Sequence, residues 1–280
     1  MKKGINIWSF PVDSLANNFA LAKRAGFEGV EVEITEGAGE ITTASTEAEL
    51  LRVKRMAEDA GIELYSVASG LYWSHFLNDD DAKERAVAED CVKRQLDAAA
   101  ALGCETVLVV PGCVNADFAA PGKVTDYQKT YERSLEAFCR LKSYAEACRV
   151  EIGIENVWNK FLLSPIEMRD FIDKIDSPYV GSYLDVGNTL AFGYPEHWIR
   201  ALGKRIKKVH FKDYRRDAGG LHGFVDLLAG DVNYPEVMTA LGEVGYDGWV
   251  SAEMIPNYKY FTEAIIYNTS TSMDYILGRR

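Results

Sequence analysis

The 280-residue chain predicts a single α/β domain, a closed (β/α)8 barrel spanning residues 1–280. Three observations carry that expectation. Short β-type runs alternate with longer segments of helical period from one end of the chain to the other, which is the pattern of parallel βα units. The runs number eight, the count of a closed barrel. The length is close to the roughly 250 residues such a barrel needs, and no shift in composition marks a linker.

Taken in order, the first run is Gly4–Ser9, and the helical segment after it carries Leu15, Phe19, Leu21 and Ala22 at i, i+3, i+4 spacing. The second run, Gly29–Ile34, and the third, Glu63–Ala68, each follow a helix that ends on glycine. The sequences AGFEGVEVE and VGYDGWVSAE repeat that order, and AGIELYSV and LGCETVLVV echo it. Glycine just past a helix adopts the left-handed conformation that stops it, so these glycines read as caps at the bottom of the barrel. The fourth run is Thr106–Val110. The helix before the fifth, Glu151–Glu155, carries Leu135, Phe138, Leu141 and Ala145. Val180–Asp185, Lys208–Phe211 and Trp249–Glu253 complete the set. Longer polar loops, YWSHFLNDDD, PGCVNADFAAPGK and DYRRDAGGLHGFVDLLAGD, follow strands three, four and seven. In parallel barrels the C-terminal strand ends and their loops build the site.

Hydrophobic residues make up 48 % of the chain and charged residues 26 %, enough for a large core. A formal charge of -11 repels phosphate backbones and anionic membranes, so neither a nucleic-acid nor a membrane partner is expected. The five cysteines are odd in number, lack CxxC spacing and read as buried free thiols of a reducing compartment. The N-terminus lacks the apolar region of a signal peptide, and no run approaches the roughly 20 apolar residues of a membrane span. A cytoplasmic location is the expectation.

The last four runs end on Glu155, Asp185, His210 and Glu253. On neighbouring parallel strands these ends converge, so three carboxylates and one imidazole meet at one point. That donor set suits one divalent metal ion, manganese first, with magnesium or cobalt(II) close behind and zinc also compatible. Such an ion polarises a carbonyl and its neighbouring hydroxyl, acidifies the C–H between them and favours a cis-enediolate. Glu155 and Glu253 on opposite faces of a bound sugar would act as an acid/base pair. Two opposed groups give epimerisation, whereas one group returning the proton to the adjacent carbon gives aldose–ketose isomerisation. On the same rim, Trp8, Trp73 and Trp158 are candidates to stack on a sugar, and His75 and His222 to reach it. Glu33 is expected to support the site or touch the ligand, and His197 reads as structural.

Around these positions IENVWN, DVGN, HFKDYRR and SAEM resemble the xylose-isomerase-like sugar isomerase/epimerase superfamily, in particular its ketose 3-epimerase branch. The resemblance covers essentially the whole chain. It implies a TIM barrel in which Glu155, Asp185, His210 and Glu253 bind one metal ion and the two glutamates transfer the proton. It further implies that Arg216 contacts substrate near its carbonyl, and that the subunits pair as homodimers or homotetramers. Free-ketose epimerases usually carry histidine where this chain has Asn188, and a further glutamate near Leu162. Both departures match the ketose-phosphate branch. Within a sugar or sugar-phosphate substrate class they shift the expectation toward a phosphorylated or otherwise unusual ketose, with Asn188 in contact and Lys160, Arg215 and the Gly219–Gly220 turn as candidate phosphate contacts. Rival readings keep the site and change the outcome. They are a lyase or dehydratase of a keto-sugar or keto-inositol, a hydroxypyruvate-isomerase-like aldose–ketose isomerase, and a catalytically silent sugar-binding protein. A hydrolase of the endonuclease IV kind needs more histidine ligands than the four histidines here supply.

Overall fold

A computed structural model describes residues 1–11, 13–119 and 122–280. Eight parallel strands close into a barrel in the order β1-β10-β7-β6-β5-β4-β3-β2. They are β1 Lys2–Asn6, β2 Gly29–Glu33, β3 Glu63–Ala68, β4 Thr106–Val109, β5 Glu151–Glu155, β6 Val180–Asp185, β7 Ile206–Phe211 and β10 Trp249–Ala252. Among the described residues eight α-helices surround them: α1 Leu15–Ala25, α2 Glu47–Ala60, α3 Ala82–Leu102, α4 Tyr127–Cys148, α5 Pro165–Ile175, α6 Pro195–Leu202, α7 Tyr234–Glu243 and α8 Ala264–Ile276. The fold is the TIM barrel the alternation predicts.

Local chemistry starts and stops these helices. Thr46 and Glu49 form a reciprocal capping box on α2, Ser164 followed by Pro165 opens α5, and Asn233 caps α7. Gly26 and Gly61 end α1 and α2 at φ of +90° and +68°, conformations that a side chain would strain. Each then feeds directly into the next strand.

Several strand ends shift by one or two residues, and two larger differences have a local cause. The first strand runs Lys2–Asn6 and stops three residues before Ser9, because the Asn6 side chain accepts the Trp8 backbone N–H at 2.7 Å and folds Ile7–Ser9 into a 3-10 turn. The loop after β7 is no plain loop. Asp213–Tyr214 (β8) and Phe224–Val225 (β9) pair as an antiparallel ribbon above the barrel. The Asp213 carboxylate lies inside it and accepts backbone N–H groups from Tyr214, Leu228, Gly230 and Val232 at 2.8–3.2 Å. A Cβ on Gly230 would stand 2.2 Å from Asp213 Oδ1, so only glycine lets the chain pass so close.

Apolar side chains of the strands and helices form one continuous core between them. The barrel interior is layered. At its floor Tyr65 stacks on Trp249 with ring centroids 4.1 Å apart, and Gly4 leaves room for the Tyr65 hydroxyl. The next layer is polar, built from Asn6, Glu31, Ser66, Tyr183 and His210, all buried. Outside the barrel, Gln95 of α3 donates to the carbonyls of Val67 and Leu108 and so ties β3 to β4. Among the described residues no helix is long and apolar enough to cross a membrane. The cysteines are unpaired. Cys104 and Cys113 are buried as expected, Cys91 and Cys148 are half-buried, and Cys139 on α4 faces solvent, since its helix turns that position outward.

Candidate metal centre

Glu155 ends β5, Asp185 ends β6, His210 stands one residue before the end of β7, and Glu253 follows β10. Strand register brings them level: Asp185 pairs with His210, and His210 with Ser251 two residues before Glu253. One ligand atom from each of the four lies within 4.8 Å of the others, and all four side chains are buried. His210 Nδ1 is 3.6 Å from Glu253 Oε2 and 4.0 Å from Glu155 Oε1. Neither His210 Nδ1 nor Asp185 Oδ2 has a hydrogen-bond partner. Buried polar atoms are normally satisfied, so orphan atoms converging on one point fit a cation-binding centre.

The supports are specific. The Asn156 side chain donates to the Asp185 carbonyl at 2.8 Å and accepts its N–H at 2.9 Å, and the Asn188 N–H donates to Asp185 Oδ1 at 2.8 Å. One carboxylate oxygen of Asp185 is thereby held and the other is aimed inward. Glu31, at the middle of β2, does the same for the imidazole. Its Oε2 meets His210 Nε2 at 2.7 Å and Asn6 Nδ2 at 2.6 Å, while its Oε1 accepts from Tyr183 at 2.6 Å and Ser66 at 2.9 Å. Lys212, buried two residues beyond His210, places its ammonium 2.5 Å from Glu253 Oε2 and 3.5 Å from Asp185 Oδ2.

Electrostatics follow from this crowding. Burial, and then the charge of Glu253, pushes the Glu155 carboxyl well above its ordinary range. Burial acts on Glu253 in the same sense, but Lys212 and His210 overturn it and hold that carboxyl far below its ordinary value. For Glu31, burial is outweighed by the charge and hydrogen bond of His210, and its pKa is lowered. His210 is held well above 6.5 despite its burial, chiefly by the charge of Glu31. Such a cluster of acids gains from a bound cation.

Above it opens a cavity of about 520 Å³. Trp8 and Asn188 line it, as do Trp73, Trp158, Glu33 and His222. Glu33 stands two residues beyond Glu31 on the same face of β2, one layer nearer the mouth. Burial raises its carboxyl against hydrogen bonds from the Trp8 side chain and the Gly70 backbone. The remaining residues singled out in the sequence have other partners. Arg216 is exposed, donates to the carbonyls of Leu190 and Gly193 and lies 4.6 Å over the Tyr194 ring. Lys160 is held by Asn115 and Asp117, and His75 lies 3.4 Å from Glu36. Arg215 donates to the Ala229 carbonyl. None of these four borders the cavity, and neither does His197, which tilts against Tyr194. Glu31 and Lys212 were not evident from the strand ends. The signal for Glu31 was an acid inside a parallel strand, where both faces are buried and apolar residues are the rule.

Fold and site together define a parallel barrel with a buried constellation of three carboxylates and one imidazole at its C-terminal mouth, a donor set that could hold a metal ion. The chain belongs to the xylose isomerase-like TIM barrel family, whose model matches residues 19–268. Among curated relatives, an uncharacterized protein of Methanocaldococcus jannaschii is 26 % identical over 176 residues, 60 % of this chain and 57 % of that one, so the match spans little more than half of that relative. The 2-epi-5-epi-valiolone 7-phosphate 2-epimerase of an Actinoplanes species is 26 % identical over 220 residues, 77 % of this chain and 74 % of the relative. Among solved structures, the D-psicose 3-epimerase of Clostridium cellulolyticum H10 with D-tagatose superposes at a TM-score of 0.82, with 18 % identity and 99 % of each chain covered. The chain is thus similar in sequence to one epimerase and in fold to another.

Proposed function

We propose that the protein is a cytoplasmic, divalent-metal-dependent sugar epimerase that moves a proton at the carbon beside the carbonyl of a ketose or other keto-sugar, most simply at C3. The observation that carries this reading is the placement of Glu155 and Glu253. They stand on non-adjacent strands, share one buried cluster and both border the cavity. A sugar seated between them presents opposite faces of one carbon to the two carboxylates, and proton removal by one with return by the other inverts that carbon. Epimerase relatives in the family support the same chemistry.

Glu155, Asp185, His210 and Glu253 would hold the ion. The hard oxygen donors favour manganese over softer-site metals, with magnesium, cobalt(II) and zinc as substitutes. When bound, the metal supplies Lewis-acid polarisation of the substrate carbonyl. The remaining work falls to the chain itself. Glu31 fixes the His210 ring, Asn156 and Asn188 fix Asp185, and Lys212 holds Glu253 in place. Trp8 and Trp158 wall the cavity and shield the transferring proton from water.

The test is solvent exchange. Manganese-loaded protein in heavy water is incubated with free and phosphorylated ketoses, stripped of metal and read by proton NMR, with Glu155→Gln and Glu253→Gln as controls. Loss of the C3 proton with appearance of the epimer is expected, and each control abolishes it. Exchange with an aldose as product, or with loss of a β-substituent, replaces epimerisation by isomerisation or elimination. Absence of exchange from every keto-sugar with metal bound overturns proton transfer itself.

A further inference from the structure

Lys212 brings a fixed positive charge to the cavity lining, and that charge stands among the candidate metal ligands rather than beside them. Its ammonium lies 2.5 Å from Glu253 Oε2 and 3.5 Å from Asp185 Oδ2. Both residues belong to the converging four, and Asp185 Oδ2 is the carboxylate oxygen aimed inward. On the cavity side the same ammonium lies 4.8 Å from the ring centroid of Phe224, another lining residue. Cations rest favourably on aromatic faces, so the ring gives the ammonium a second seat.

The main chain around Lys212 has no comparable freedom. A Cβ on Gly187 would stand 2.8 Å from the Lys212 carbonyl, so the two backbones are in close contact there. The Tyr234 hydroxyl donates to that carbonyl at 3.2 Å, and the next residue is Asp213, gripped by four backbone N–H groups. Movement is therefore confined to the side chain. Its flexible four-carbon stem and compact ammonium suit it to exchanging partners over a short distance.

A divalent ion held by Glu155, Asp185, His210 and Glu253 leans on the same two carboxylates, and like charges a few ångström apart repel strongly in a buried site. We propose that Lys212 is a tethered counter-cation that holds Glu253 for the ion, yields Glu253 and Asp185 to it, and then turns to the cavity to donate a hydrogen bond to a substrate oxygen. The second half of this inference rests on the proton-transfer reading of the site. As the C–H breaks toward one carboxylate, negative charge gathers on the oxygens beside that carbon, and a charged donor already aimed there stabilises it. The ammonium keeps its three protons, no electrons are gained or lost, and no co-reactant is consumed. One charge thus serves the acids while the chain folds and the substrate once the ion has entered.

The two roles predict effects of opposite sign from one substitution. Lys212→Met and Lys212→Gln remove the charge, and Lys212→Arg keeps it. In titration calorimetry with manganese, the neutral variants are expected to bind about tenfold or more tighter than the parent, and Lys212→Arg to stay within about threefold of it. At saturating manganese in heavy water, kcat for solvent exchange with the keto-sugar that the parent turns over is expected to fall about a hundredfold in the neutral variants, with KM changed far less. A lysine that only props up the site would weaken metal binding and slow exchange together, so unchanged or weaker binding of manganese by the neutral variants overturns the displacement. Tighter binding with an unchanged kcat overturns the contact with substrate. If the parent exchanges no keto-sugar, the proton-transfer reading falls and takes that contact with it, while calorimetry still decides whether the ammonium competes with the ion.

Discussion

Glu31 Oε2 lies 2.7 Å from His210 Nε2, with both side chains wholly buried. A carboxylate on the far side of an imidazole fixes which nitrogen carries the proton and which is presented to a cation. Here Nε2 donates to Glu31, so Nδ1 faces Glu253 and Glu155. Glu31 is itself locked by Tyr183, Ser66 and Asn6, which leaves the imidazole one orientation.

Replacing Glu31 by glutamine keeps its size and removes the charge. Divalent-metal affinity, read by titration calorimetry with manganese or cobalt, is expected to fall about 10–100-fold, the usual cost of losing such a support. Unchanged affinity would show that His210 needs no help from β2.

Binding a cation to the four-residue centre relieves repulsion among Glu155, Asp185 and Glu253. Metal at a hundredfold excess over Kd should therefore stabilise the fold by about 2.7 kcal/mol. Thermal denaturation with and without metal reads this as a rise in Tm that chelator reverses, and Asp185→Asn with Glu253→Gln removes most of it.

Asp213→Ala strands four backbone N–H groups at once. The expected loss is about 2–4 kcal/mol in urea unfolding, tempered by whatever water reaches the opened ribbon. Protease cutting should appear between residues 215 and 230 under conditions where the parent is intact. Asp213→Asn, which keeps an acceptor, costs less.

At the bottom of the barrel Lys208 is buried and its ammonium meets the more exposed Glu105 at 2.8 Å. Chiefly through that bond, the Glu105 carboxyl is lowered from its ordinary 4.5. A lowered folded-state pKa contributes stability that is present above the unfolded value and lost as pH falls through the folded one. Urea midpoints of the parent and Glu105→Gln should therefore differ by a constant amount well above the ordinary 4.5 and draw together as pH falls through the lower folded-state value. A difference that does not shrink at all as the pH is lowered from neutrality into the acid range would remove the ion pair as its cause.

The sequence carried the barrel because parallel strands buried on both faces are unbroken apolar runs that glycine caps punctuate. It carried Glu155, Asp185, His210 and Glu253 because C-terminal strand ends converge whatever the loops do. Asn6 hid the true end of the first strand, since its side-chain bond to Trp8 is a local event that apolar patterning does not register. Glu31 is hidden for a related reason: with both faces of β2 buried, no alternation tells which residues point into the barrel, and only Glu33 stands at the strand end. The side chains of Arg216, Lys160 and His75 depend on loop conformations with no period to read, and those loops carry them to Gly193, Asp117 and Glu36. Lys212 lay in plain view within HFKDYRR, yet only the ion pair with Glu253 gives it a role.

The polar layer inside the barrel bears on how the molecule assembles. Asn6, Glu31, Ser66, Tyr183 and His210 come from β1, β2, β3, β6 and β7, on both halves of the chain. A half-barrel ending after β4 would enclose the Glu31 charge with Asn6 and Ser66 but without the tyrosine and the imidazole that neutralise it. Its interior would therefore stay wet until the C-terminal strands dock. Closure of the ring and assembly of the Glu155, Asp185, His210 and Glu253 cluster therefore coincide, so a chain that has not finished folding presents no assembled cluster to a cation.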